Sequence, residues 1–333
     1  MIRVGINGYG RIGRDFHRQI LKRDDIQVVA VNSRADAASH VLLLKYDSIY
    51  GILDADIKVV GNDFSVNGNV VKVFQEAKQE NVPWGSLDVD VVIEATGRFT
   101  TRETTEPHLK AGAKKVLVTA PCSDPTIQTI VMGVNNHEHD PKKYDILSNA
   151  SCTTNALAPT MKVLEETFGI ESAIVTTIHA FTYTQNLLDN SNPEDMRRAR
   201  ATTQSVIPTT TGAMAAIWKV IPSLKGKVDG MAFRVPVATV SVLDLKVDLN
   251  RDVSVGELNK AFLKAEEGAL AGILATSNEP LVSIDYSGNT HSAIVDMLST
   301  KVVLGRKAQI IVWYDNEWGY VARIIDLIKW MAS

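Results

Sequence analysis

Cys152 stands out by its neighbours. It lies in Asn149-Ala150-Ser151-Cys152-Thr153-Thr154-Asn155, a polar setting poorly suited to a core, just before a run of helical character. A thiol at a helix start feels the positive end of the dipole, which favours the nucleophilic thiolate. His179 closes the β-branched run Thr176-Thr177-Ile178 and falls 27 residues after the cysteine. An imidazole carried back beside the sulfur would lower the thiol pKa further and act as a base. The competing readings are a cysteine packed as a small hydrophobe and a histidine that caps or packs. The hydroxyl-rich surroundings of Cys152 favour reactivity. Cys122, in Ala120-Pro121-Cys122-Ser123, has no comparable helix start and receives no catalytic role. Neither cysteine belongs to a CxxC pair and the histidines are scattered, so no zinc site is indicated.

A second constellation lies at the start of the chain. Gly8-Tyr9-Gly10-Arg11-Ile12-Gly13 is GxGxxG, placed after the apolar run Ile2–Ile6 and opening a helical segment. Glycine permits the tight turn and the close approach of backbone to a pyrophosphate, with the helix N-terminus supplying N–H groups. Alone the motif is equally consistent with a glycine turn that packs a helix on a strand; its position at a first βα turn favours a dinucleotide. The next strand ends in Val31-Asn32-Ser33-Arg34. NAD sites commonly hold the ribose 2′-OH with an acid there, whereas Arg34 could pair with a 2′-phosphate. NADP is therefore expected to be accepted, although a solvated loop arginine would look the same.

Elements must position these groups. Ile12, Phe16 and Ile20 mark one face of a helix over Arg11–Arg23, Ile26–Val31 reads as a second strand and Ala35–Tyr46 as a second helix. Phe64–Val66 and Val70–Val73 flank Asn67-Gly68, a hairpin signature. Val89–Ile93, Lys115–Thr119 and Thr129–Val134 read as buried strands, with a helix over Thr104–Ala113. Ser151–Phe168 reads as a helix and Ser172–Ala180 as a strand. Thr182–Thr211 is a long polar loop of the kind that serves function or an interface. Strands follow within Gly230–Leu249. Ser254 with Glu257 then forms a capping box, Gln309–Trp313 is a strand, and a helix starts at Trp318. The reading is α/β: a Rossmann dinucleotide-binding domain over 1–150 plus an α+β catalytic domain over 151–315. The latter has a mostly antiparallel sheet, and the terminal helix, 316–333, packs back onto the first domain.

Bulk properties narrow the class. The 333 residues suit two domains, and 45% hydrophobic with 22% charged residues is a globular balance. Lys and Arg number 35 against 38 Asp and Glu, so no field draws in nucleic acid or a membrane. Two cysteines, an N-terminus without a signal-like stretch and no long apolar run make the expected location cytoplasmic.

Together these residues resemble the glyceraldehyde-3-phosphate dehydrogenase family, phosphorylating type, from Ile2 to the last helix. The most specific motif is Ser148 to Asn155. Gly5 to Gly13, Leu44 to Ser48, Arg197 to Ala201, Gly230 to Pro236 and Trp313 to Tyr320 follow the family's order. The resemblance implies that Cys152 attacks the aldehyde of glyceraldehyde 3-phosphate to give a thiohemiacetal, with His179 as general base. Hydride then passes to NAD or NADP, and inorganic phosphate attacks the thioester to give 1,3-bisphosphoglycerate, in glycolysis or gluconeogenesis. By the same resemblance Thr182 and Arg234 bind the substrate phosphate, with Arg198 near both anions, while Ser151, Thr153, Thr211 and Gly212 form the inorganic-phosphate site. For Arg198 a solvated charge, and for Thr211 a helix cap, are the bland alternatives. The cofactor residues implied are Gly8, Gly10, Arg11, Ile12, Asn32, Ser33, Arg34, Thr96, Gly97, Thr119, Ser191, Asn316 and Tyr320. The family implies a homotetramer, with Thr182–Thr211 at a subunit interface.

Departures are informative. Ser33 replaces the usual acid, and Ser191 matches a serine with which NADP-using members reach a neighbouring subunit's adenosine. Val237-Ala238-Thr239 replaces Thr-Pro-Asn near Arg234, Thr184 stands where many bacterial members have Asp, and Ala156 replaces a non-catalytic cysteine. The rival enzyme is erythrose-4-phosphate dehydrogenase, against which Thr182 and Thr211-Gly212 weigh. The rival of another class is a non-catalytic nucleotide-binding or interaction protein.

Overall fold

A computed structural model describes residues 1–193 and 195–333. The chain forms two compact units: residues 1–130, 138–150 and 321–333 make the first, and residues 131–137 and 151–320 the second.

The first unit is built on β1 (Ile2–Asn7), α1 (Arg11–Ile20), β2 (Ile26–Asn32) and α2 (Ala37–Lys45). A two-stranded ribbon, β3 (Tyr46–Asp47) and β4 (Gly51–Ile52), leads to the meander β5 (Ile57–Val60), β6 (Asp63–Val66) and β7 (Asn69–Phe74). Then come β8 (Val91–Glu94), α3 (Arg102–Lys110), β9 (Lys115–Val118), β10 (Gln128–Thr129) and β11 (Ile146–Ser148). The sheet order is β10-β11-β9-β8-β1-β2-β7-β6-β5, parallel from β10 through β7. Asn67 and Gly68 both adopt positive φ, at 48° and 83°, so the β6–β7 hairpin turns as the dipeptide predicts. β1 lies between β2 and β8, and the crossovers leave it in opposite directions. A crevice at the carboxyl ends of these strands is where parallel sheets place nucleotides.

The second unit opens with α4 (Cys152–Phe168). It continues with β12 (Ile170–Ala180), β13 (Ile207–Thr209), α5 (Ala213–Val220), β14 (Val228–Val235), β15 (Ser241–Leu249) and α6 (Val255–Glu267). β16 (Leu274–Ser277), β17 (Ala293–Val303) and β18 (Lys307–Tyr314) complete the sheet β13-β14-β12-β15-β18-β17-β16, and α7 begins at Trp318 and runs to Met331. Four of the six pairings are antiparallel; β12–β14 and β16–β17 are parallel. Ser254 and Glu257 form the expected capping box on α6. Within the first unit, the end of α7 is held by the Lys329–Asp25 ion pair at 3.1 Å and by Lys115 Nζ on the Met331 carbonyl.

Two expectations need correction. The strand read over Thr129–Val134 stops at Thr129. Gly133 takes φ of 78°, and Asn135 Oδ1 accepts from the Val131 amide, so this backbone turns rather than extends. The loop Thr182–Thr211 contains β13, an edge strand paired with β14 that its polar composition concealed. In addition, the sequence reading does not include α5, β16 and β17, although Ala213, Ala216, Ile217 and Val220 of α5 recur at helical spacing.

Candidate active site

Ser151 is the N-cap of α4. Its φ is −106°, and its hydroxyl accepts from the Thr154 amide at 3.0 Å and lies 2.8 Å from Thr154 Oγ1. Cys152 is therefore the first helical residue, partly open to solvent. Its Sγ lies 3.4 Å from Nε2 of His179, which is carried by β12. β14 runs parallel to β12 in a register that sets Arg234 directly opposite His179. Arg234 Nη1 reaches the Ala180 carbonyl at 3.0 Å and lies 2.6 Å from His179 Nδ1. The same carbonyl is 2.6 Å from Nδ1. The carbonyl can only accept and calls for a proton on Nδ1, while the guanidinium can only donate and calls for a lone pair there; the tautomer bonded to the carbonyl is the one that leaves the Nε2 lone pair facing sulfur, as a general base requires.

Electrostatics qualify the expectation of a standing thiolate. Burial pushes the Cys152 thiol up, while the Arg234 charge and hydrogen bonds from Thr153 pull it down. Burial, aided by Arg234, pushes His179 down to about 3, so the free imidazole is neutral near pH 7. The pair is a thiol beside a base, with a helix start and a guanidinium ready to hold negative charge as it forms.

The anion-site residues divide. Arg234 is half-buried beside the catalytic pair. Arg198 Nε donates to Thr209 Oγ1 at 2.8 Å on β13, whose register sets Ile207 opposite Arg234. The Thr182 hydroxyl is 3.1 Å from that of Thr184, just beyond β12. Thr211 Oγ1 accepts from the Ala213 amide at 3.2 Å, but the N-cap of α5 is Gly212, so Thr211 stands one residue before the cap. Thr153 turns its hydroxyl to Tyr314, at 3.0 Å; Tyr314 also meets Thr177 at 2.9 Å and packs edge-on to the His179 ring. Tyr314 lies within the Trp313–Tyr320 motif but receives no role from the sequence, because its contacts with Thr153 and Thr177 join residues 161 and 137 positions apart.

In the first unit the glycine loop fits a dinucleotide. Gly10 caps α1 without a side chain, and a Cβ there would meet nothing within 4 Å. Gly8 has φ of 95°, and a Cβ would stand 2.7 Å from the Thr96 amide nitrogen, so only glycine lets the two loops touch. Gly97, at φ of 70°, also faces open space. The side chain of Arg11 pairs with Asp47 and lies over Tyr50, so only its backbone is suited to a pyrophosphate. Ile12 is half-buried. Asn32 is buried, and its Nδ2 donates to Asn7 Oδ1 at 2.8 Å. Ser33 Oγ accepts from the Ala35 amide at 3.3 Å, and Arg34 is exposed with its carbonyl accepting from Gln75. Thr119 donates through both amide and hydroxyl to the Glu94 carbonyl.

The remaining cofactor candidates lie in the second unit. Ser191 is exposed, and Tyr320 is buried. The Asn316 Oδ1 accepts from Ser241 Oγ at 2.9 Å, which leaves its NH₂ group as the donor. Ser241, missed from sequence, also accepts from the Ala180 amide at 3.1 Å.

Residues 2–102 match the model for the glyceraldehyde 3-phosphate dehydrogenase NAD binding domain, and residues 151–316 match the C-terminal domain of the same family. The chain is 53% identical to glyceraldehyde-3-phosphate dehydrogenase of Geobacillus stearothermophilus over 332 residues, covering all of this chain and 98% of the relative. It is 50% identical to glyceraldehyde-3-phosphate dehydrogenase 2 of Streptomyces avermitilis and 48% to that of Bacillus subtilis. Those matches cover all of this chain and 99% and 97% of the relatives. The chain belongs to the glyceraldehyde 3-phosphate dehydrogenase family.

Proposed function

We propose that this protein oxidises and phosphorylates D-glyceraldehyde 3-phosphate to 1,3-bisphosphoglycerate. The observation that carries the reading is the Cys152 sulfur at a helix start, 3.4 Å from His179 Nε2. His179 takes the thiol proton as Sγ bonds to the aldehyde carbon and returns it to the carbonyl oxygen, so the thiohemiacetal hydroxyl forms beside the helix start. A bound nicotinamide dinucleotide supplies the two-electron acceptor. As the carbon gives up its hydrogen with the electron pair, the hydroxyl proton passes to His179 and a thioester remains on Cys152. A phosphate oxygen then adds to the thioester carbon, and Cys152 leaves as thiolate.

Arg234 and Thr182 are assigned to the substrate phosphate, Arg198 to both anions, and Ser151, Thr153, Thr211 and Gly212 to inorganic phosphate. Guanidinium forks and backbone amides suit these ligands. Residues 1–150 with the terminal helix form the dinucleotide domain and 151–315 the catalytic domain. Ser33, Arg34 and Ser191 support use of NADP as well as NAD. Exposed Tyr183, Leu187, Leu188, Met196 and Val206 in the long loop support a homotetramer that covers them. Free cysteines support a reducing, cytoplasmic location, and no described helix is long and apolar enough to cross a membrane.

Replacing Cys152 with Ser should abolish aldehyde oxidation, and turnover of the parent should require inorganic phosphate. Phosphate-independent release of free acid would favour erythrose 4-phosphate as substrate.

A further inference from the structure

Beneath the glycine loop lies a carboxylate that the mechanism does not use. Glu94, the last residue of β8, is 1% exposed. Asn7 Nδ2 donates to its Oε2 at 2.5 Å, and His108 Nε2 lies 3.1 Å from the same oxygen. The indole nitrogen of Trp84 can only donate, and it does so to His108 Nδ1 at 3.1 Å; the imidazole proton therefore sits on Nε2 and points at Glu94. The other oxygen, Oε1, accepts from the Thr96 amide at 2.9 Å and from the Thr96 hydroxyl. That hydroxyl is itself free to donate because its lone pair takes the Arg98 amide at 3.2 Å. Four donors converge on this one carboxyl group.

The partners are not scattered. Asn7 ends β1, Thr96 follows β8, and Asn7 Oδ1 accepts from Asn32 at the end of β2. Asn32 in turn binds the amide and carbonyl of Glu76, after β7, at 2.9 and 3.0 Å. Thr96 is also the residue against which Gly8 closes. One buried carboxyl group thus ties together the carboxyl ends of the strands that form the dinucleotide crevice.

We propose that Glu94 is a positioning residue for the nicotinamide dinucleotide. It holds Thr96 against Gly8 and, through Asn7, holds Asn32. The inference rests on the assignment of the dinucleotide to this crevice. A glutamine at 94 would turn an NH₂ group toward donors whichever way it is oriented, so it breaks the clamp while conserving size.

The test is calorimetric titration of the full chain with NAD and with NADP, beside cofactor-free alkylation of Cys152 by iodoacetamide. Glu94→Gln should weaken cofactor binding roughly tenfold or more, and Thr96→Val, a milder lesion, by about threefold to fivefold. Alkylation should keep the parent's rate in both. Trp84→Phe removes the donor behind His108 and should lower Tm while binding stays within about twofold of the parent. Gly10→Val fills the open space before α1 and tests the crevice itself: it should bind neither cofactor. Parent-like affinity in Glu94→Gln, or in Thr96→Val should Glu94→Gln not fold, overturns the inference while Gly10→Val stays defective. Equal weakening by Trp84→Phe and Glu94→Gln overturns it as well, since the effect would then be general loosening. Parent-like binding by Gly10→Val would instead overturn the assignment of the crevice.

Discussion

Nη1 of Arg234 lies 2.6 Å from Nδ1 of His179, and both reach the carbonyl oxygen of Ala180, at 3.0 and 2.6 Å. A full positive charge so close opposes protonation of the imidazole and favours a negative sulfur on its far side. Arg234 is thus placed to affect the nucleophile as well as any bound anion.

The first prediction concerns that charge. Arg234 works against the burial that raises the Cys152 thiol, so Arg234→Leu should move the pH midpoint of Cys152 alkylation upward. The midpoint is read from iodoacetamide rates across pH without substrate. A midpoint that stays put or falls would remove Arg234 from activation of the thiol.

Arg198 is aimed by its neighbours. Asp195 Oδ2 accepts from Thr209 Oγ1 at 2.7 Å, and Thr209 Oγ1 accepts from Arg198 Nε at 2.8 Å. This chain of bonds occupies the Nε edge of the guanidinium. Thr209→Val should raise KM for inorganic phosphate by about fivefold to tenfold with kcat nearly unchanged, and Thr209→Ser should restore it. A fall in kcat at constant KM would contradict a purely positioning role.

Ser241 links the strand of the base to Asn316. Its hydroxyl accepts from the Ala180 amide and donates to Asn316 Oδ1, fixing which end of that amide can donate. Ser241→Ala leaves Asn316 free to flip, and KM for the cofactor should rise about tenfold. Retention of parent kinetics would show that Asn316 needs no such support.

Cofactor choice should respond to one residue. Ser33 follows β2 beside the exposed Arg34, with no acid to repel a 2′-phosphate. Ser33→Asp should lower kcat/KM for NADP at least tenfold and leave NAD within about threefold. Equal losses with both cofactors would argue against a 2′-phosphate at this position.

Stability should fall with acid through His17. Tyr9 OH lies 2.7 Å from His17 Nδ1, and burial pushes this histidine down to about 3. The unfolded chain takes up the proton near pH 6.5 and the folded chain resists it. The contribution is therefore whole above about pH 6.5 and is lost as pH falls toward 3, by up to about 5 kcal/mol. His17→Gln keeps an acceptor for Tyr9 and should flatten the decline in Tm between pH 6.5 and 4, read by calorimetry. His40 and His179, also lowered by burial, leave a residual slope.

The sequence by itself determined what is local. Ser151 before Cys152, the glycines at 8 and 10, Asn67-Gly68 and the Ser254–Glu257 box each act within one turn, where a few side chains decide the backbone. Periodic burial marked most strands and helices for the same reason. It could not show that Arg234 faces His179, that Ser241 meets Asn316, or that Glu94 gathers Asn7, His108 and Thr96. Apart from Glu94 with Thr96, two positions away, those contacts join residues 14 to 87 positions apart, and they depend on strand order and register. A pleated strand says which face each side chain takes, but only the neighbouring strand decides what it meets there.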